Sequence, residues 1–243
     1  MGEYMANTST ALAQTNEDNF IRKNEPNGGL QALWRRGSEL EIVKSEPRFR
    51  TLDIPAISLL KNGLPGGTVA EIVGRRSSGR TACLLHVLAQ ATRSGEVCAV
   101  VDTNDRFDPA SGAAAGLLLE RLVWVRCGGN AEHAMRAADL LLHAGGFGVV
   151  ALDFCETNPK SLNRIPLSYW FRFRRAIEST PTILMVAAEA NQAKSCSLNI
   201  LNLELKAARW RGSPGFRLLG GTEIAGRLER PATGGPQRLV LAG

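Results

Sequence analysis

Val69-Ala-Glu-Ile-Val73 runs into Gly74-Arg-Arg-Ser-Ser-Gly79-Arg80-Thr81, and these thirteen residues carry most of what the chain says about its fold. Five apolar-rich residues of strand character lead into a loop bounded by two glycines with four residues between them. A helical pattern then runs from Thr81 to Ser94 and stops at Gly95. Strand, glycine-bounded loop and helix in this order are the setting of a GxxxxGK[S/T] phosphate loop, in which successive backbone N–H groups and the positive end of the helix face an anion. Gly74, Arg75, Arg76, Ser77, Ser78, Gly79, Arg80 and Thr81 form the candidate nucleotide-binding loop. Thr81 offers a hydroxyl for magnesium. One position departs from the pattern: Arg80 stands where a compact lysine ammonium is expected, and a planar guanidinium fits that slot less readily.

Outward from this loop the same rhythm repeats. Apolar runs at Val97–Asp102, Leu122–Arg126, Gly148–Asp153 and Thr182–Ala188 read as strands, and helical patterns lie near Gly112–Arg121, Ala131–His143 and Leu167–Glu178. Strands alternating with helices predict an α/β domain with a mainly parallel central sheet flanked by helices. Asp153 closes its strand at the edge where such sheets hold their ligands. A further strand is expected at Leu201–Lys206, and glycines beyond Trp210 leave room for a C-terminal β hairpin around Arg217–Ile224. The organisation expected is a flexible N-terminal tail with a short helical arm at Leu30–Arg36 over 1–49, a core over 50–212, and a hairpin with a loose tail over 213–243.

Composition narrows the class of protein. The chain has 243 residues, 44% of them hydrophobic, and no apolar run of the length needed to span a bilayer. The first twenty residues lack a basic start and an apolar core, so a soluble, cytoplasmic protein without membrane contact is expected. Five cysteines, Cys83, Cys98, Cys127, Cys155 and Cys196, are widely spaced with no CxxC, which suits reduced core thiols and not a zinc site. Twenty-nine basic residues against 23 acidic give a net charge of +6, which attracts polyanions without naming one. His86, His133 and His143 lie on expected helices in no catalytic pattern.

The segment 63–153 resembles the core of the RecA recombinase family. It begins with GLPGGTVAEIVGRRSSGRT, a Gly-Leu-Pro turn, a strand and a Ser-Ser-Gly phosphate loop as in that family; VVDTNDRFDP resembles the family's second-strand segment, and VVALDF resembles its Walker B strand. The likeness extends more weakly to about residue 210. It implies a RecA-like P-loop fold, ATP and magnesium as cofactors, phosphate contacts from the 74–81 loop, Asp153 with Thr81 in the magnesium shell, and Asp108 beside the nucleotide base. It also places Asn104 where the family has its catalytic glutamate, and Glu189 where it has a glutamine sensing the γ-phosphate. An amide cannot take a proton from water, so Asn104 and Arg80 together predict weak hydrolysis or none, with Asp102 and Asp105 as nearby substitutes.

The stretch after Asp153 corresponds to the family's first DNA-binding loop and contains Lys160 and Arg164, while the second, Ala190–Ser197, is short. Tyr169-Trp-Phe-Arg-Phe-Arg-Arg175 could stack single-stranded nucleic acid, but Leu167, Trp170, Phe173 and Ile177 share one helical side, which favours a buried stripe with Arg172, Arg174 and Arg175 left outside for DNA or partner contact. Trp210 and Arg211 read as an edge anchor. A short RecA-like chain with these departures is similar to the ImuA accessory proteins of SOS-induced translesion synthesis. That resemblance implies an adapter working with an ImuB-like polymerase homologue, an error-prone DNA polymerase and RecA itself, with single-stranded DNA as a further partner. A DNA-dependent ATPase recombinase is the alternative.

Overall fold

The computed structural model describes residues 51–52, 60, 63–213, 215–230 and 237–239. The expected N-terminal tail and the Leu30–Arg36 arm lie outside these residues. In chain order the elements are β1 (Thr51–Leu52), β2 (Leu64–Pro65), β3 (Val69–Gly74), α1 (Arg80–Arg93), β4 (Cys98–Asp102), α2 (Pro109–Ala114), β5 (Leu122–Arg126), α3 (Ala131–Ala144), β6 (Val149–Asp153), α4 (Pro159–Leu162), α5 (Leu167–Ile177), β7 (Ile183–Ala188), β8 (Ser197–Arg211), β9 (Leu218–Arg230) and β10 (Gln237–Leu239). β1 and β2 pair as a small antiparallel ribbon.

The remaining strands form one sheet in the order β10-β9-β8-β3-β7-β6-β4-β5. Every pairing from β8 across to β5 is parallel, and β9 and β10 add to the β8 edge in antiparallel fashion. Both faces of the parallel part are covered. Leu84, Leu88 and Cys83 of α1 pack on Ala70, Ile72, Val100, Ala151 and Met185. Met135 and Leu142 of α3, with Trp170, Phe173 and Ile177 of α5, cover the alternate residues Val69, Val101, Val150, Leu152 and Val186. A strand whose successive side chains point to two covered faces is apolar on both, which is why β7, and β6 up to its terminal Asp153, read as unbroken runs, while in β3 Glu71 interrupts the pattern. All five cysteines are free and buried.

Four local expectations are corrected. The helix near Gly112–Arg121 is the short α2 followed by a 3-10 turn at Leu119–Arg121, because Pro109 starts it and Gly116 takes φ +86 beside the Arg93 guanidinium. The C-terminal hairpin is longer than Arg217–Ile224: it is built from β8 and β9, whose partners run from Ile200↔Arg230 to Arg211↔Leu218. Trp210 is no anchor. It is 57% exposed where the ribbon leaves the core, near Phe216 at 84% and Leu218 at 76%. Within the basic aromatic stretch Trp170, Phe173 and Ile177 are buried as expected, whereas Leu167 is exposed.

Candidate functional site

β3 lies between β8 and β7 and delivers the phosphate-loop segment to the C-terminal edge of the parallel sheet. At the end of this strand Gly74 is needed for close approach: a Cβ there would sit 2.3 Å from the Leu203 carbonyl oxygen and 2.5 Å from Ser78 Oγ. Gly79, the N-cap of α1, takes φ 89, a left-handed conformation that glycine adopts freely. Ser77 takes φ 62 without being glycine, a strain of about 1–2 kcal/mol. The turn is closed by Ser78 N donating to Arg75 O at 3.2 Å, and the helix begins with Cys83 N to Gly79 O at 2.9 Å.

This bend leaves donors without acceptors. α1 has no side-chain cap and no acidic residue in its first turn, so its leading N–H groups have no intrahelical partner. Ser78 Oγ and Arg80 Nη1 are buried without a hydrogen-bond partner, in residues only 1% and 7% exposed. Buried polar atoms are seldom left unpaired in folded proteins. A phosphate group would supply the missing acceptors, so the residues present fit a nucleotide's anionic tail. Arg75 and Arg76 are exposed, and Arg76 pairs with Glu156 at 3.2 Å.

The neighbouring strand ends complete the edge. β6 and β4 are in register, with Asp153 opposite Asp102. Asp153 is 8% exposed and accepts from Cys155 N at 2.7 Å. Burial pushes its carboxyl above the usual range, and the hydrogen bonds from Cys155 draw it partly back. Thr81 stands at the exposed start of α1, and burial pushes the Cys155 thiol well up. Glu189 is exposed just beyond the end of β7.

At the second strand the three candidate bases are all committed elsewhere. Asn104 Nδ2 donates to Cys155 O at 2.9 Å and to Thr157 Oγ1 at 2.8 Å, so the amide clips the β4 loop to the β6 loop. A carboxylate could not make this clip, because the Cys155 carbonyl only accepts. Asp102 is 1% exposed and accepts from Arg106 N, Phe107 N and Trp124 Nε1. Asp105 accepts from Gly128 N and pairs with Arg126 at 3.2 Å. Asp102 and Asp105, the nearby substitutes for the missing glutamate, are thus both engaged as acceptors in the surrounding loops.

The structure does not gather every expected residue here. Asp108 caps α2, accepting from Ala110 N, Ser111 N and the Ser111 hydroxyl, and the Ser111 contact leads in holding its carboxyl below the usual range. Lys160 and Arg164 are exposed in and after α4. Arg164 borders a separate cleft of about 530 Å³ shared with Asn130, Glu132, Ile165 and Tyr169. Arg172 is taken up by Asp139 at 2.9 Å and by the Tyr169 ring, while Arg174 and Arg175 face solvent from α5. His143 contacts Asp139 at 3.5 Å.

Glu71, in the middle of β3, is a determinant that the sequence did not flag. It is 1% exposed and accepts from Asn191 Nδ2, Gln192 N, Ala193 N and the Ser197 hydroxyl. One carboxylate thus fixes the short segment between β7 and β8. Thr157 and Cys155, the acceptors of the Asn104 clip, also escaped notice, since nothing local marks a contact made across about fifty residues.

Comparison with known proteins agrees with this arrangement. The RecA N-terminal domain family matches residues 36–161. Protein RecA of Rhodospirillum rubrum is 36% identical over 126 residues, which are 52% of this chain and 33% of that protein. Protein RecA of Rickettsia bellii is 34% identical over 207 residues, 85% of this chain and 57% of that protein. A mitochondrial DNA repair protein recA homolog of Dictyostelium discoideum is 33% identical over 142 residues, 56% and 30% of the two chains. The chain therefore spans about a third to somewhat more than half the length of these relatives. A crystal structure of the RadB recombinase shares the fold, with a TM-score of 0.57 and 19% identity, covering 81% of this chain and 96% of that one. Among the described residues no helix is long and apolar enough to cross a membrane.

Proposed function

The chain belongs to the RecA N-terminal domain family, and on that premise we propose that it is a nucleotide-binding RecA-family protein of DNA recombination and repair that hydrolyses its nucleotide feebly. ATP phosphates sit in the 74–81 loop, held by the leading N–H groups of α1, Ser78 and Arg80. Bound ATP would supply the acceptors that the unpartnered Ser78 Oγ and Arg80 Nη1 lack. The observation that carries the slow-hydrolysis reading is the Asn104 clip: both protons of the amide are engaged by Cys155 O and Thr157 Oγ1, and neighbouring Asp102 and Asp105 are engaged as well.

The finer reading is an adapter role in error-prone translesion synthesis after DNA damage, beside an ImuB-like polymerase homologue, an error-prone polymerase and RecA. Lys160 and Arg164, exposed around α4, are the contacts proposed for single-stranded DNA. The second reading, a DNA-dependent ATPase recombinase, is favoured by the retained glycine frame of the loop and by Asp153 at its strand end.

Phosphate release with single-stranded DNA present separates the two. The adapter reading expects turnover within about threefold of a Thr81→Ala control, because a lost general base removes about 100-fold to 10,000-fold. Turnover about 100-fold above that control would establish the recombinase reading instead.

A further inference from the structure

Glu156 stands at the apex of the turn that follows β6, where Thr157 N donates to Phe154 O at 3.0 Å. Its φ is 66, a left-handed conformation that a residue with a Cβ adopts only under strain. The Asn104 clip fixes the turn on both sides of it, at Cys155 O and at Thr157 Oγ1. Cys155 and Thr157 are buried, whereas Glu156 is exposed and extends its carboxylate to two arginines. Arg76 Nη2 of the phosphate loop lies 3.2 Å from Oε1, and Arg106 Nη2 of the β4 loop lies 4.0 Å from Oε2. In the sheet β7 separates β3 from β6, so the Arg76 pair reaches past a strand end to join the phosphate loop to the β6 turn. A carboxylate beside a loop shaped for a polyanion works against binding by repulsion, and here backbone strain is carried to keep it there.

We infer that Glu156 is a built-in competitor for the terminal phosphate of a nucleoside triphosphate: its carboxylate holds Arg76 and Arg106, and the phosphate takes both over. The inference rests on the nucleotide-binding reading above and adds how the loop tells a triphosphate from a diphosphate. Carboxylate and phosphate oxygens are met by the same guanidinium fork, so one can replace the other on these arginines. The two side chains are 80% and 70% exposed and can change partner without unpacking the core. Glu156 cannot follow them, because Asn104, acting as a positioning residue, pins the turn that carries it. A diphosphate ends short of this exchange and leaves the Glu156 pairs in place. Exposed ion pairs are individually weak, so the competition tunes affinity and does not abolish it.

The test is calorimetric titration of the full chain with ATP and with ADP, comparing wild type with Glu156→Gln. The variant is expected to bind ATP about twofold or more tightly than wild type, the scale of one or two exposed ion pairs, with a smaller gain for ADP. In a chain carrying Arg76→Gln and Arg106→Gln, adding Glu156→Gln should bring less than about a twofold gain for ATP, since the arginines it would release are gone. A gain for ATP below about twofold overturns the inference. So does an equal gain for ADP, or a gain that survives without the arginines, because either would reduce Glu156 to general repulsion. Matching melting transitions check that each variant is folded. Should Glu156→Gln fail that check, Glu156→Gly, which adopts a φ of 66 without strain, takes its place. Absence of ATP binding in wild type and variant alike would overturn the nucleotide-binding reading and this inference with it, whereas ATP binding without the gain overturns only the competitor.

Discussion

Gly74→Ala is expected to lower nucleotide affinity by about 100-fold or more, a loss of about 2.7 kcal/mol. The added methyl would lie 2.3 Å from the Leu203 carbonyl oxygen and 2.5 Å from Ser78 Oγ. Ser78 could swing away, at the expense of the loop it helps to shape. Leu203 cannot, because it belongs to β8 and is paired on one side with Gly74 and on the other with Gly226. Relief must come from β3 or from the bend itself, which moves the N–H groups that face the phosphates. Gly95→Ala is the control: a Cβ there meets nothing within 4 Å, and its φ of +93 costs only the strain of a left-handed alanine, about 1–2 kcal/mol of stability. Equal affinity for Gly74→Ala and wild type would show that the loop does not approach as closely as described.

Glu71→Ala is expected to destabilise the fold by about 3–5 kcal/mol in urea unfolding, among the largest effects open to a single substitution. The variant strands donors from Asn191, Gln192, Ala193 and Ser197, and the Ala193 and Ser197 donors are buried. Glu71→Gln should cost less, about 1–3 kcal/mol, since its carbonyl still accepts while its NH₂ confronts other donors. The pH dependence gives a second signature. Burial outweighs the hydrogen bonds and holds the Glu71 carboxyl above its ordinary 4.5. An acid with a raised folded-state pKa binds its proton more tightly when folded, so its contribution to stability is fully present below 4.5 and declines as pH climbs through the folded value. Glu71→Gln removes that decline. A Glu71→Ala protein as stable as wild type would mean that the 189–197 segment is held by something other than this carboxylate.

The parallel sheet was legible because its strands are covered on both faces, and burial on both faces leaves a mark in consecutive residues: ILMVAA of β7 has no polar position to misread. The phosphate loop was legible for a related reason, since Gly74 and Gly79 are dictated by backbone geometry over eight neighbouring residues. The roles of Asn104 and Glu71 were not legible. Their partners lie 51 to 126 residues away in sequence, and no local period reports a hydrogen bond closed by the fold. Trp210 misled for the opposite reason: its strand continues past the point where the core stops, and the pattern along a strand does not say where its covering layer ends. Asp108 carries both possibilities in its local sequence, because Asp-Pro before a helix is an N-cap and its first helical position in any fold.

Hydrogen exchange along the phosphate loop tests the central claim most directly. With saturating ATP, the amides of Gly79, Arg80, Thr81 and Ala82, which begin α1 without intrahelical acceptors, are predicted to exchange at least about tenfold more slowly, while those of the β8–β9 ribbon near Trp210 keep their rates. Unchanged exchange at these four amides, under conditions where ATP is shown to be bound, would contradict the account by placing the nucleotide's phosphates somewhere other than this bend.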